Sequence, residues 1–215
     1  MLRGDDAATA ALFGTLLASL VALATDIDVG GSVPGAVPPP LPNPEWVRWE
    51  DDGPGPWPAI PYFDDRAATR SLPGGVEDAA HRIRERMALS RLPRVLGHAD
   101  WETQNLRWHG TTPWAVHDGD SLAWLPEAAI AGSACGAFAS AEQPTLVPMV
   151  SSAAFLDAYQ ATRRPFTSEE LEVEWAASLW LPLHNARGEA IRDLPPVAIT
   201  AVREQAAEPL RLADA

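Results

Sequence analysis

Between Asp28 and Gly75 the chain resists both helix and sheet interiors. Prolines crowd this stretch, three of them in succession at Pro38-Pro39-Pro40, and glycines recur among them. Proline lacks the N–H that a helix or a ladder needs, and its ring holds φ near one value. The stretch reads as one long connection with short turns. Trp46, Trp49 and Trp57 are interleaved in it. Three indoles are costly to leave in water, so the connection is expected to be ordered and packed on its surroundings. A flexible linker, or a proline-rich ligand for another domain, is the alternative for such a composition.

Residues 7–25, Ala7 to Thr25, carry no charge. An export signal is one reading, because Met1-Leu2-Arg3 and Ala22-Leu23-Ala24 have signal-like ends. Against it, Asp5 and Asp6 cancel the positive start, and the run is rich in Ala, Thr, Ser and Gly. Leu12, Leu16, Leu20 and Leu23 recur at helical spacing, and Asp5 or Asp6 can cap the N-terminus. The expectation is a buried helix, no membrane span and a cytoplasmic protein.

From Gly75 to Leu92 the pattern is helical, with Val76, Ala79, Ala80, Ile83 and Met87 as the buried stripe. Arg82, Arg84, Glu85 and Arg86 are expected in solvent, and an anion site is the second reading of Arg82, Arg84, Arg86, Arg91 and Arg94. Pro93 ends the helix, and Val95-Leu96 begins a short strand. Further on, a small-residue helix is expected from Leu125 to Ser140, and another from Ser152 to Thr162. Thr167 and Glu170 form a capping-box pair. The helix they open bears Leu171, Trp175, Leu179 and Trp180, and breaks near Pro182. Glu169, Glu170, Glu172 and Glu174 suit the dipole at its N-terminus; recruitment of a cationic substrate is their second reading. A last helix spans Pro196 to about Leu212. The fold class is therefore mainly α (α+β), and residues 1–215 read as a single unit with no internal repeat.

At the centre of the chain, His98-Ala99-Asp100-Trp101-Glu102-Thr103-Gln104-Asn105 has the form H-x-D-x-x-x-x-N. Asp118 follows in Val116-His117-Asp118-Gly119-Asp120. Leu106-Arg107-Trp108 and Trp114-Ala115-Val116 are strand-like, with turn residues between them. If Trp108 pairs with Ala115, Asn105 falls opposite Asp118, with about 5 Å between paired backbones. Phosphoryl transfer calls for such a set: a base beside the attacking oxygen, and hard oxygen ligands for the metal that neutralises the phosphates. The plain alternative is a polar surface loop entering a hairpin.

The segment from Val95 through Leu122 resembles the aminoglycoside phosphotransferase family, whose members have a protein-kinase-like fold and a pattern like L-x-H-G-D-x4-N, a hairpin, then V-I-D-W-D. The resemblance is sharp over residues 95–125 and diffuse from about 10 to 185. It implies that Asp100 is the catalytic base, that Asn105 and Asp118 bind Mg²⁺ and through it the ATP phosphates, and that His98 braces the loop. Asp120 would order the loop or a second metal-bound water. It also implies a small-molecule hydroxyl acceptor. Ala99 departs from the family's common Gly, His117 from Ile, and Gly119 from an aromatic; the last of these is expected to loosen the turn.

Two larger departures concern the nucleotide. All sixteen basic residues are Arg, so no Lys is available for the phosphates. No phosphate-cradling glycine loop is present either, since Gly53-Pro54-Gly55-Pro56 lacks the necessary N–H donors. The chain therefore reads as a catalytic and substrate lobe without its N-terminal nucleotide lobe, truncated and inactive alone. A non-catalytic remnant or small-molecule binding module of the same fold is the alternative, and an exported Trp/Pro-rich binding protein a third. A net charge of −13 argues against nucleic acid as a partner. The single Cys135 excludes an intrachain disulfide and lies among small residues as a packed thiol. His98, His109, His117 and Cys135 have no close pairing of the kind zinc sites use.

Overall fold

Asp6 starts the first helix. Its Oδ1 accepts from the Thr9 N–H at 2.9 Å and its Oδ2 from the Thr9 hydroxyl at 2.8 Å, and α1 (Ala7–Thr25) follows. These coordinates are a computed structural model, which describes residues 6–25, 43–49, 55–67, 71–139 and 147–215. The buried face of α1 holds Ala10, Phe13, Leu17 and Val21 rather than the expected leucine stripe, and Leu23 is 69% exposed. A helix apolar all round has no face of its own, so its neighbour sets the phase. That neighbour is α5 (Met149–Thr162), against which α1 lies so closely that a Cβ at Gly14 would fall on the Phe155 carbonyl. By length and composition α1 is also apolar enough to cross a membrane.

The described parts of the proline-rich connection pack as the tryptophans suggest. Trp49 and Trp57 are buried, and the Trp49 ring stacks at 6.4 Å and 4° on Trp180. Residues 26–42, 50–54 and 68–70, which include Pro38-Pro39-Pro40, lie outside the described residues. Within this connection, Asn43 donates from Nδ2 to the Trp124 carbonyl at 3.2 Å and accepts from the Trp124 N–H at 2.7 Å. The short α2 (Pro61–Ala67) is held through Asp64, whose Oδ1 accepts from Arg187 at 2.6 Å.

The next helix, α3 (Gly74–Ala88), buries the five residues expected of it and ends short of Leu92. Its arginines do more than face solvent. Arg84 donates to the carbonyls of Gly55 and Trp57, and Arg86 pairs with Glu172, so they tie the connection and a later helix to α3.

Two antiparallel ribbons, one nested inside the other, then build the centre. The outer ribbon pairs β1 (Arg94–His98) with β4 (Leu122–Pro126), with His98 opposite Leu122. The inner ribbon pairs β2 (Leu106–His109) with β3 (Thr112–Val116). Sequence periodicity points to β1 and the inner hairpin but not to β4, whose last two residues, Leu125 and Pro126, it assigns to the start of a helix. In the fold Leu125 and Pro126 end the strand, and α4 (Glu127–Ala137) begins one residue later.

Helices close the remainder. After α5, α6 (Ser168–Ala177) opens on the Thr167–Glu170 capping box. The chain breaks at Ser178 and Leu179, and α7 (Trp180–Arg192) carries Pro182 in its first turn, where the missing N–H costs nothing. Proline thus sits inside a helix that the sequence reading ends there. The expected last helix is two, α8 (Val197–Gln205) and α9 (Ala207–Leu212), because Pro209 cannot donate back to Gln205. At Gly132 and Gly136 of α4, a Cβ would fall on the carbonyl oxygens of Glu174 in α6 and of Ser178 at its C-cap. The molecule is a mainly helical α+β fold with small two-stranded antiparallel sheets.

Candidate functional site

The site lies where the two ribbons meet. Residues 99–105 connect β1 to β2, and residues 117–121 connect β3 to β4. Because both strand pairs are antiparallel, the two connections run side by side: the Ala99 N–H donates to the Ser121 carbonyl at 3.0 Å and the His117 N–H to the Asn105 carbonyl at 2.8 Å. The hairpin register differs from the expected one. Arg107 pairs with Ala115 and Trp108 with Pro113, so Trp114 is an extra, bulged residue, 78% exposed. Asn105 therefore stands opposite His117 and not Asp118. The residues converge nonetheless, because the outer ribbon clamps both connections.

Asp100 is the hub. Its Oδ2 accepts from Asn105 Nδ2 at 3.0 Å, and its carbonyl accepts from the same nitrogen at 2.9 Å. Burial pushes its pKa above the ordinary value; the Asn105 amide and His98 oppose that rise, while the nearby Asp118 charge adds to it. Asp118 has a left-handed backbone, φ 64° and ψ 51°, a conformation Asp tolerates better than most residues. Ser121 closes its turn, donating its N–H to the Asp118 carbonyl at 3.0 Å and its hydroxyl to Oδ2 at 2.6 Å. The hydroxyl contact holds the Asp118 carboxyl below the usual range, so it is ionised. Gly119 adopts no left-handed backbone and has open space around it, and Asp120 is exposed in the same turn.

His98 is 1% exposed and spans the two connections. The Asp100 N–H donates to Nδ1 at 3.3 Å, so the ring proton sits on Nε2, which donates to the His117 carbonyl at 2.9 Å. Both ring nitrogens are thus engaged in bracing. The loop is also anchored from below. Trp101 donates from Nε1 to the Phe13 carbonyl of α1 at 3.2 Å, Thr103 donates its N–H and hydroxyl to Phe138 at 2.9 and 2.8 Å, and Ser133 donates to the Ala99 carbonyl at 3.1 Å.

One acid here has no role in the motif reading. Glu102 is 6% exposed, and burial, reinforced by the Asp100 charge, pushes its pKa up to about 8 against the pull of the Gln104 amide. At neutral pH it is a protonated acid, and its Oε2 accepts from Gln104 Nε2 at 2.7 Å. The sequence places Glu102 inside the motif, but its burial comes from the fold around it.

The donor set suits a hard cation. With Nδ2 committed to Asp100, Asn105 keeps its Oδ1 as an oxygen donor, and Asp118 supplies an ionised carboxylate. Among the described residues no group of three or more His, Cys, Asp and Glu side chains is arranged to hold a metal. A cation here would have two protein ligands and complete its shell with water and phosphate, as magnesium commonly does. The zinc candidates are scattered: His98 is spent on bracing, His109 and His117 are exposed on the hairpin, and Cys135 is buried in α4. The four glutamates of α6 do not form one acidic surface. Glu170 pairs with Arg164, Glu172 with Arg86, and Glu174 is buried.

Comparison with known proteins gave no match: no family model, no curated protein and no solved structure aligns with the chain.

Proposed function

We propose that this chain is the helical catalytic and substrate lobe of a phosphotransferase of protein-kinase-like type, similar to the aminoglycoside phosphotransferases. In the complete enzyme the γ-phosphoryl of ATP or another nucleoside triphosphate passes to the hydroxyl of a small molecule. The observation that carries this reading is the Asp100–Asn105 hydrogen bond, made beside an ionised Asp118 at the ribbon junction. Asp100 orients the acceptor hydroxyl and takes its proton, a role helped by a pKa raised through burial. Asn105 and Asp118 hold Mg²⁺, which when bound neutralises the phosphates. His98, Ser121 and Thr103 hold these groups in place, so their contribution is positioning.

The alternative, a non-catalytic binding module of the same fold, draws on the site's charge. The basic group that acts on both Asp100 and Asp118 is His98. Nucleotide phosphates need a glycine-loop cradle and a cation besides magnesium, so the chain alone is expected to transfer nothing.

The test measures phosphoryl transfer from Mg–ATP to a panel of hydroxyl compounds, with this chain alone and with any in-frame upstream sequence attached. Transfer should be at background for the chain alone and present for the longer protein. Asp100→Ala should then lower it by about 10²–10⁴-fold, the usual worth of a positioned base. Equal turnover by wild type and Asp100→Ala would remove the catalytic assignment and leave the binding module.

A further inference from the structure

Glu174 lies in the middle of α6 with 1% of its surface exposed, and neither carboxyl oxygen has a hydrogen-bond partner. The groups that act on it or respond to its charge are Cys135 from α4, Asp157 and Tyr159 from α5, and Glu170 from its own helix. None of them is a cation. Arginines around α6 pair with other acids: Arg86 of α3 pairs with Glu172 through its terminal nitrogen, its Nε being buried without a partner, and Arg164 pairs with Glu170. On α9, Glu208 and Arg211 pair with each other in solvent. A carboxylate in this position would be stripped of water with no compensating partner, whereas the neutral acid carries a much smaller penalty. Burial and then the charges of Asp157 and Glu170 push the Glu174 pKa well above the ordinary range.

The backbone of the same residue is a packing point. The Glu174 carbonyl occupies the space beside Gly132 of α4, and the Ser178 carbonyl that beside Gly136, so the two helices touch backbone to backbone. Along α4 are the groups that hold the Asp100 loop: Ser133 bonds the Ala99 carbonyl, and the Phe138 carbonyl receives both bonds from Thr103. An element that separates α6 from α4 therefore acts on the loop two bonds away.

We propose that the α4–α6 contact is a proton-dependent latch, held shut by Glu174 as a neutral acid and released when that proton is lost to solvent, which loosens the loop bearing Asp100. The latch rests on the packing of α4 and α6 and is independent of the phosphotransferase reading.

Amide hydrogen exchange of the full chain between pH 5.5 and 7.5 tests it, with wild type compared to Glu174→Gln and, where a buried amide upsets folding, Glu174→Met. The ratio of wild-type to variant exchange cancels the intrinsic chemistry. Opening that releases one proton should raise this ratio about tenfold per pH unit. The rise is expected in α4, α6 and residues 99–105, and not in α3. Identical pH profiles in wild type and variants would overturn the proposal. So would a rise of equal size in α3, because the proton would then act on global unfolding. If neither variant folds, wild type alone decides: α4 and α6 must gain exchange with pH relative to α3, once intrinsic rates are divided out.

Discussion

Asn105 Nδ2 stands 3.0 Å from Asp100 Oδ2, so one hydrogen bond joins the residue proposed as base to a residue proposed as metal ligand. The same nitrogen also meets the Asp100 carbonyl at 2.9 Å, which fixes the rotation of the amide and leaves its oxygen for a cation. The two side chains behave as one unit.

Asn105→Ala should therefore raise the Asp100 pKa, because the amide now lowers it. The variant should also cost about 1–2 kcal/mol of stability for the lost bonds to a carboxylate and a carbonyl. Carboxyl carbon chemical shifts followed through a pH titration give the first number, and urea midpoints the second. A fall in the Asp100 pKa would mean that the bond is not formed.

His98→Ala removes a buried ring that bonds both connections and packs edge-on to Trp101, with centroids 5.6 Å apart. A loss of about 2–4 kcal/mol is expected from the cavity and the orphaned backbone groups. Equilibrium denaturation measures it. A change below about 0.5 kcal/mol, the scale of an ordinary surface substitution, would show that the brace is unimportant.

Glu102 makes stability depend on pH. Its folded pKa of about 8 exceeds the ordinary 4.5, so the folded state binds the extra proton between these values. Its stabilising effect is present below pH 4.5 and is lost as pH rises toward 8. Wild type should weaken relative to Glu102→Gln over that window, by on the order of a few kcal/mol. Parallel pH–stability curves for the two proteins would contradict the burial of this acid.

Gly132→Ala places a methyl group where the Glu174 carbonyl already sits. Backbone yields less readily than a side-chain tip, and overpacking of this kind typically costs about 1–3 kcal/mol or more. The melting temperature should fall by several degrees, and the Gly136→Ala change should act in the same direction through Ser178. A neutral result at both positions would mean that α4 and α6 are farther apart.

Local chemistry in the sequence determined a good deal of this protein. The stripe on α3, the Thr167–Glu170 capping box, the Asp6 cap and the existence of the inner hairpin all depend on residues a few positions apart, whose interactions survive in any tertiary setting. The motif likewise places Asp100 and Asn105 five residues apart on one loop, close enough to meet. What depends on distant parts of the chain was decided by packing. The phase of α1 follows from α5, because a helix apolar on every side can turn any face inward. Strand β4 exists because β1 is there to pair with it; alone, Leu122–Pro126 reads equally well as the approach to a helix. That outer pairing, and not the inner register, brings Asp118 to Asp100. Tertiary packing also buries Glu102, and it buries Glu174 where α4 and α6 approach each other. Burial of an acid is a property of the atoms packed around it, and those atoms come from elements far away in sequence.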